Sequence, residues 1–336
     1  MRTEARGESS RSERGTTAGA ARGKVILLGE HAVVHGIPAI AVGIDRGAKA
    51  TSLALGSASA PSTLSVHAWG VRVDSNGDDT SLGRAFRDLV AETRPKLPLA
   101  IDAEADLPPG GGLGCSAALG VAIARALDPA ADDATIIGRA NVWEKVFHGN
   151  PSGVDVACAA LGGCVRFERT ADAALIERVR VPSVFHLCVG HSGQASSTKS
   201  MVDAVARQLE RRPETTKRTF DGIGTLVANA RLAIEAGDRS AVGQLLDLNQ
   251  MLLAGLFVST PEIEQMCAAA RGAGAFGAKL TGAGGGGCVV ALVDSPEIGG
   301  AVLDAWKAEG FDGFLTTFGT PDLAPHATAS AVQGAP

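Results

Sequence analysis

The stretch Leu107–Ala118 reads LPPGGGLGCSAA and connects two segments of different periodicity. Before it, Leu97–Glu104 alternates apolar and acidic residues, which predicts a strand; after it, Ser116–Leu127 is rich in alanine, which predicts a buried helix. A glycine loop that leads into a helix N-terminus offers backbone N–H groups and the positive end of the helix dipole. The stretch therefore predicts an anion-binding loop in a mixed α and β fold, with an ordinary strand-to-helix turn as the alternative.

This loop differs from a phosphate loop of the G-x-x-x-x-G-K-[ST] type. Cys115, and not a lysine, precedes Ser116. If the loop binds a nucleotide, a lysine from another segment or a metal ion must therefore neutralise the outer phosphates.

A second glycine-rich segment, Lys279–Cys288, reads KLTGAGGGGC. Its glycines fit G-x-G-x-x-G, but they lead into the apolar run CVVALV, which is typical of a strand and not of the helix that a dinucleotide fingerprint requires. Four consecutive glycines lose much backbone entropy on folding. We therefore expect this segment to pack closely against a ligand or against the first glycine loop.

The segment Gly23–Gly36, GKVILLGEHAVVHG, contains Lys24, Glu30, His31 and His35. The two histidines are four residues apart, but Ala32 stands where a H-E-x-x-H zinc motif needs glutamate, and the segment has the pattern of a strand and a turn. A zinc site is therefore not favoured. Glu30 and His31 form either a polar turn or one wall of a pocket at the end of the strand.

The segment WEKVFHGNPSGVD, residues 143–155, places Glu144 and Asp155 on either side of a tight turn between two helices. Two carboxylates near a phosphate site suggest one ligand for Mg²⁺ and one general base. The alternative is a solvated helix end at which Asp155 acts as a cap.

Composition excludes several classes of protein. The 336 residues suggest two domains, and a formal net charge of −5 gives no basic face for nucleic acid. Six cysteines without a C-x-x-C pair indicate reduced, buried thiols in a cytoplasmic protein. The chain contains no apolar run long enough to span a membrane.

The ends of the chain differ in composition from the rest. Residues 1–20 lack apolar periodicity and contain three glutamates, which predicts a disordered tail and not a transit peptide. A helix-rich block begins after about residue 182, which suggests a domain boundary there. The last residues, 326–336, are expected to form a second tail.

Four of these segments resemble the motifs of the GHMP kinases in their order along the chain, and the similarity extends from about residue 22 to 320. The turn HGNPSGVD is similar to the stretch that distinguishes the mevalonate kinases within that superfamily. The resemblance implies an α+β fold of two domains with the active site between them. These would be a ribosomal-protein-S5-like α/β domain at residues 21–181 and a ferredoxin-like α+β domain at residues 182–325.

The resemblance also implies roles for individual residues. Lys24 would neutralise charge at the transferred phosphoryl group, and Asp155 would be the base, although the family leaves open which of the two contributes more. Mg²⁺ would be held by Ser116 and Glu144. The acceptor substrate would contact Glu30, His31, Asp155, Thr198 and Gly282. The residues expected to bind ATP are Pro109, Gly110, Gly111, Gly112, Leu113, Gly114, Cys115, Ser116, Gly282, Ala283 and Gly284.

The function that this implies is ATP-dependent phosphorylation of the 5-hydroxyl of mevalonate, by an enzyme that could be a homodimer. An arginine common before the position of Thr198 is absent, because residues 195–197 are Ala, Ser and Ser; Lys199 could supply the missing charge. A kinase for a sugar, phosphomevalonate or another small alcohol is the first alternative. A catalytically inactive nucleotide sensor is the second, although such proteins usually lose the residues at Ser116, Glu144, Asp155 or Lys24.

Overall fold

The structure, a computed structural model, describes residues 16–77, 79–107, 111–149, 151–170, 173–194, 197–319 and 330–333. Within these ranges, seven strands and four α-helices make up the first part of the chain as far as residue 179. They are β1 (Thr16–Leu28), β2 (Ala39–Ala54), β3 (Thr63–Val66), β4 (Val71–Asp74), α1 (Ser81–Thr93), β5 (Leu99–Ala105), α2 (Cys115–Leu127), α3 (Asp133–His148), α4 (Val154–Leu161), β6 (Cys164–Arg169) and β7 (Ala173–Val179).

The second part contains a block of four helices between strands, as the leucine periodicity predicts. Its elements are β8 (Phe185–His191), α5 (Thr198–Arg211), α6 (Pro213–Ala236), α7 (Arg239–Gly255), α8 (Pro261–Gly272), β9 (Gly277–Thr281), β10 (Cys288–Val293), α9 (Pro296–Ala308), β11 (Asp312–Phe318) and β12 (Ser330–Gln333). None of the helices in the described ranges is long and apolar enough to cross a membrane.

Two separate sheets give the fold its α+β, two-domain character, as predicted. The larger has the strand order β12-β7-β6-β2-β5-β3-β4, with β1 paired to β2. The smaller is antiparallel with the order β11-β8-β10-β9, in which the fourth, first, third and second strands of the domain follow one another, as in a ferredoxin-like fold. The change of sheet at β8 agrees with a boundary near residue 182, which stays a prediction.

The prediction of an N-terminal tail over residues 1–20 is wrong for its last five residues. β1 begins at Thr16, which pairs with Leu53 of β2, and Gly19 lies directly under α2. This strand could not be recognised in the sequence, because its residues are small and do not alternate between apolar and polar. Such residues let the helix approach closely and do not fill a core. Residues 1–15 lie outside the described residues.

The prediction of a C-terminal tail over residues 326–336 is also wrong in part. Residues 330–333 form β12, which pairs antiparallel with β7, Ser330 opposite Ile176. A strand at the edge of a sheet presents unpaired N–H and C=O groups, and a short returning segment can satisfy them whatever its hydropathy. The other residues of this predicted tail lie outside the described residues.

Replacing Gly19 by alanine should destabilise the protein by at least about 2 kcal/mol, because the new methyl group would overpack the contact between β1 and α2. A Cβ there would lie 2.1 Å from the carbonyl oxygen of Ala122. Gly138 is the matched control, since it is exposed in α3 and a Cβ would meet no atom within 4 Å. Gly138→Ala should stabilise the helix by about 0.5–1 kcal/mol. Urea unfolding measures both, and equal effects would contradict the placement of Gly19.

The two domains meet along several contacts that bring their glycine loops together. On one side, Arg231 of α6 forms two hydrogen bonds with Glu177 of β7, at 3.0 and 2.7 Å. On another, the hydroxyl of Thr316 in β11 bonds with the carboxylate and backbone N–H of Asp45 in β2. The region where the two domains meet is therefore held by contacts on two sides.

All six cysteines are buried and unpaired, as the sequence predicts. Cys115 illustrates the consequence, because burial raises the pKa of its thiol to about 11. Because this thiol is neutral, the polar groups that the first glycine loop offers are its backbone N–H groups.

Candidate active site

Lys24 is the point at which three of the predicted segments converge. It lies on β1, and its side chain is only 3% exposed. Its Nζ donates a hydrogen bond to the carbonyl oxygen of Gly112 at 2.9 Å and lies 3.1 Å from Oδ1 of Asp155. Its backbone N–H donates to the carbonyl of Leu113 at 2.9 Å. The structure thus places the ammonium between the first glycine loop and the predicted base.

The first glycine loop ends at α2, whose first turn contains Cys115 and Ser116. Gly112 and Gly114 both have φ of 73°, in the left-handed region that favours glycine. A Cβ at Gly114 would also lie 3.0 Å from Cγ of Lys24, so side chain and loop pack directly together. No side chain caps this helix among the described residues, which leaves N–H groups of its first turn for an anion. Pro109 and Gly110 lie outside the described residues.

Glu144 lies in the last turns of α3 and is 2% exposed. One carboxylate oxygen, Oε1, is buried without a hydrogen-bond partner among the described residues, and the other lies 3.5 Å from Nε2 of His148. Burial raises the pKa of Glu144 to about 7, and the charge of Asp155 adds to the rise, whereas the Ser116 hydroxyl and Lys24 oppose it. Trp143 fixes Ser116 by donating to its carbonyl at 3.0 Å and its hydroxyl at 3.3 Å.

This pair of groups fits Mg²⁺. An unpartnered, buried carboxylate oxygen costs free energy that a cation would recover, and a neighbouring hydroxyl is a second oxygen donor. Within the described ranges no three His, Cys, Asp or Glu side chains cluster as a metal site. Mg²⁺ commonly takes only one or two protein carboxylates and completes its shell with phosphates and water.

The second glycine loop meets the first from the other domain. Five of its glycines, Gly282 and Gly284–Gly287, have positive φ, between 68° and 126°. A Cβ at Gly282 would lie 3.5 Å from the Cα of Gly112, so the prediction that this loop packs against the first is confirmed. The loop joins β9 to β10, two strands, and not a strand to a helix.

His31 occupies a strained turn directly after β1. Its φ of 62° and ψ of −49°, together with the 2.7 Å bond from the N–H of Ala32 to the carbonyl of Glu30, define a γ-turn. Such a conformation costs about 1–3 kcal/mol in a residue other than glycine. Its Nε2 lies 2.9 Å from the carbonyl oxygen of Ala283, and burial lowers the pKa of the ring to about 4. The ring is therefore neutral, with Nε2–H as donor.

Glu30 is 1% exposed, and both of its carboxylate oxygens are bonded within the protein. One forms an ion pair with Lys279, and the other accepts from Nδ2 of Asn249 at 3.2 Å. Burial raises the pKa of Glu30, and the Lys279 ammonium opposes that rise. Its predicted contact with the acceptor substrate stays a prediction.

Lys279 and Asn249 are residues that sequence reasoning missed. Lys279 is the first residue of the second glycine segment. A lysine in an otherwise apolar strand was the feature of the sequence that could have indicated a role for it. Asn249 lies in α7 among leucines and has no local signature, since its partner Glu30 is 219 residues away in the chain.

Thr198 begins α5 and is exposed, with Lys199 beside it. One turn later, Met201 packs against the second glycine loop: a Cβ at Gly285 would lie 2.5 Å from its Sδ. The structure thus brings the start of this helix against the second glycine loop. A direct role of Thr198 toward a substrate remains a prediction.

Known proteins resemble this chain in sequence and in fold. Residues 81–163 match the GHMP kinase N-terminal domain and residues 230–312 match the GHMP kinase C-terminal domain. A mevalonate kinase of Methanothermobacter thermautotrophicus is 33% identical over 279 residues, which cover 82% of this chain and 89% of that protein. The chain belongs to the mevalonate kinase family of GHMP kinases.

Two further mevalonate kinases agree with this membership. The protein from Pyrococcus abyssi is 34% identical over 295 residues, covering 80% of this chain and 86% of its own. The crystal structure of L. major mevalonate kinase in complex with R-mevalonate superposes with a TM-score of 0.79 at 29% identity, and covers 92% of this chain and 97% of that one. The resemblance to GHMP kinases predicted from the sequence is confirmed.

Proposed function

We propose that the protein transfers the γ-phosphoryl group of ATP to the 5-hydroxyl of mevalonate, giving 5-phosphomevalonate and ADP. The observation that carries this proposal is the position of Lys24, whose ammonium lies between the carbonyl of Gly112 and the carboxylate of Asp155. Phosphoryl transfer requires positioning and charge stabilisation more than covalent chemistry, and this group touches both the phosphate loop and the proposed base. Mevalonate as the acceptor is supported by family membership.

Each group then has a defined task. The N–H groups at the start of α2, facing Gly282, bind the phosphates of ATP. Ser116 and Glu144 hold Mg²⁺, which when bound offsets phosphate charge. Asp155 orients the acceptor hydroxyl and takes up its proton, and Lys24 stabilises the charge on the transferred group.

The acceptor lies on the side of the cleft closed by His31 and Thr198. The neutral His31 ring offers hydrogen bonds and no charge, so the carboxylate of mevalonate needs a cation from elsewhere. Because the arginine expected before Thr198 is absent, we propose Lys199, which is exposed in the first turn of α5, for this role. A homodimer and a cytoplasmic location are further parts of the proposal.

A coupled assay of ADP release with a panel of acceptors tests the function. Mevalonate should give rapid turnover, whereas galactose and other sugars, phosphomevalonate and water should give little. Turnover with a sugar or with phosphomevalonate alone would assign the site to another acceptor. Binding of ATP without turnover on any acceptor would favour a nucleotide sensor.

The affinity for Mg²⁺ with ATP should rise about tenfold from pH 6 to pH 8, because Glu144 must lose its proton to bind the metal ion and its pKa is about 7. The stability of the protein without the metal ion changes with pH in the opposite direction. The folded pKa lies above the unfolded value of 4.5, so stability from the protonated, buried carboxyl is present at low pH and lost as pH rises through about 7. Calorimetric titration at both pH values measures the binding effect.

Glu144→Gln is the control for this prediction, because the phosphates of ATP also titrate in this range. The variant should bind Mg²⁺ with ATP more weakly and lose the part of the pH dependence that belongs to Glu144. An unchanged pH dependence in the variant would contradict the assignment of Glu144 as a metal ligand.

A further inference from the structure

The ammonium of Lys279 has no donor left for a ligand. It is 0% exposed, and it contacts the carboxylate of Glu30, the carbonyl of Leu280 and, at 3.5 Å, the carbonyl of Ile26. An ammonium has three N–H donors, so these acceptors occupy all of them. Although Lys279 lies only three residues before Gly282 of the second glycine loop, it therefore cannot bind phosphate in this arrangement.

These contacts fix β1 from the other domain. Among the described strands of its sheet β1 pairs with β2 alone, and its other edge meets β9. There the hydroxyl of Thr281 accepts from the N–H of Ile26 at 3.0 Å and donates to its carbonyl at 3.1 Å. Side chains of Lys279 and Thr281 thus satisfy the edge that a further strand would otherwise occupy. Ile26 is two residues from Lys24, so both side chains lie on the same face of the strand.

Glu30, the ion-pair partner of Lys279, fixes the turn that follows β1. Glu30 immediately precedes His31, whose left-handed backbone persists only if neighbouring contacts enforce it. Three contacts reach this turn from the second domain: the ion pair of Glu30 with Lys279, the hydrogen bond from Asn249 to Glu30, and the bond of the His31 ring to Ala283. Lys279 and Ala283 belong to the segment from β9 into the second glycine loop, and Asn249 belongs to α7, so strand, turn and loop are held as one unit.

Stability alone does not account for this cluster. A buried ion pair gives up hydration that its attraction only partly recovers, and apolar residues of similar volume are often as stable. Asn249 adds to the cost, because its buried Oδ1 has no partner among the residues that the structure describes. Buried polar groups of this kind can instead specify one arrangement of the elements that they join.

We propose that Glu30 and Lys279 are positioning residues for the reaction, and that Glu30 acts through Lys279 and not as a ligand of the acceptor. Together they hold Lys24 and His31 against the second glycine loop in the geometry of transfer. This inference rests on the proposed phosphoryl transfer, because it assigns the pair to the placement of that site.

The test compares Lys279→Met, Glu30→Gln and the double variant, assayed below the lowest unfolding temperature with the acceptor that the wild type uses. Lys279→Met should lower Tm by about 6 °C or more, because it leaves a buried carboxylate unpaired. Each single variant should lose at least about tenfold in kcat with the KM for ATP nearly unchanged. The double variant should recover to within about threefold, because the amide introduced by Glu30→Gln can accept from Asn249 and donate to the carbonyls that Lys279 leaves.

Thr316→Val is the matched control, because it removes an inter-domain contact away from this pair and should lower Tm without changing kcat. A second measurement does not depend on activity: amide exchange at Ile26 should be at least tenfold faster in Lys279→Met, and near normal in the double variant and in Thr316→Val. If the wild type does not phosphorylate mevalonate, the proposed substrate is wrong, but the amide-exchange measurement still tests the positioning role of the pair.

Two results would overturn the positioning role. A folded double variant as slow as Glu30→Gln would mean that Glu30 contacts the acceptor directly. Single variants with a lower Tm but normal kcat, KM and exchange at Ile26 would mean that the pair only stabilises the fold.

Discussion

Asp155→Asn should lower kcat by about 10²–10⁴-fold, because the amide can still hydrogen-bond to the acceptor hydroxyl but cannot take up its proton. The side chain lies in the first turn of α4, is 33% exposed and contacts the ammonium of Lys24 at 3.1 Å. An asparagine of the same shape retains a polar contact with that ammonium. We therefore expect a normal Tm and nearly unchanged binding of Mg²⁺ with ATP, so that the loss appears in the transfer step measured by single turnover.

Asp133→Asn is the matched control. Asp133 also lies in the first turn of a helix and pairs with a cation, Arg125 at 2.9 Å, but on the surface. Its replacement should leave kcat within about twofold, as surface ion pairs contribute little. If Asp155→Asn kept more than a tenth of the wild-type kcat, the assignment of Asp155 as base would be wrong, and Lys24 would have to supply most of the rate enhancement.

Lys24→Met should lower kcat by about 10²–10³-fold, the usual loss when one preorganised group that stabilises transition-state charge is removed. Methionine retains most of the apolar stem that packs against Gly114. Because Asp155 is one-third exposed, water can solvate the carboxylate that the variant leaves unpaired, so the protein should still fold. Near-normal kcat in a folded Lys24→Met variant would contradict its contact with the transferred group.

Lys49→Met provides the control for a lysine on a strand, because Lys49 is exposed on β2. It should leave kcat unchanged. The double variant Lys24→Met/Asp155→Asn should lose much less than the product of the single effects, since the two groups act on the same proton and the same charge. Independent, multiplicative losses would mean that the two side chains act in separate steps.

The two glycine loops show how far local chemistry could predict the site. The sequence made two sets of glycines recognisable: Gly112 and Gly114 at a turn into a helix, and the glycines at 282–287, four of them in a row. Such glycines lose backbone entropy on folding, and the close approach of a ligand or another loop explains why they are present. The sequence also predicted the carboxylates at Glu144 and Asp155 on either side of one turn. Each of these features depends on residues near each other in the chain.

The roles of Glu30 and Lys279 could not be predicted in the same way. Glu30 was expected at the wall of the acceptor site, and its ion pair with a lysine 249 residues away could not be recognised from the residues around it. β1 was missed from Thr16 to Ala20 for a similar reason. Its small residues carry no hydrophobic period, and only the helix packed on Gly19 explains them.

The sequence by itself determined the order of strands and helices, the two glycine loops, the residues beside them and membership of the GHMP kinases. These follow from hydrophobic period, turn chemistry and motifs, which are properties of neighbouring residues. Only the tertiary structure decided which polar side chains are buried against partners from the other domain and which remain exposed. Burial and partner choice depend on elements that lie far apart in the chain and meet only in the fold.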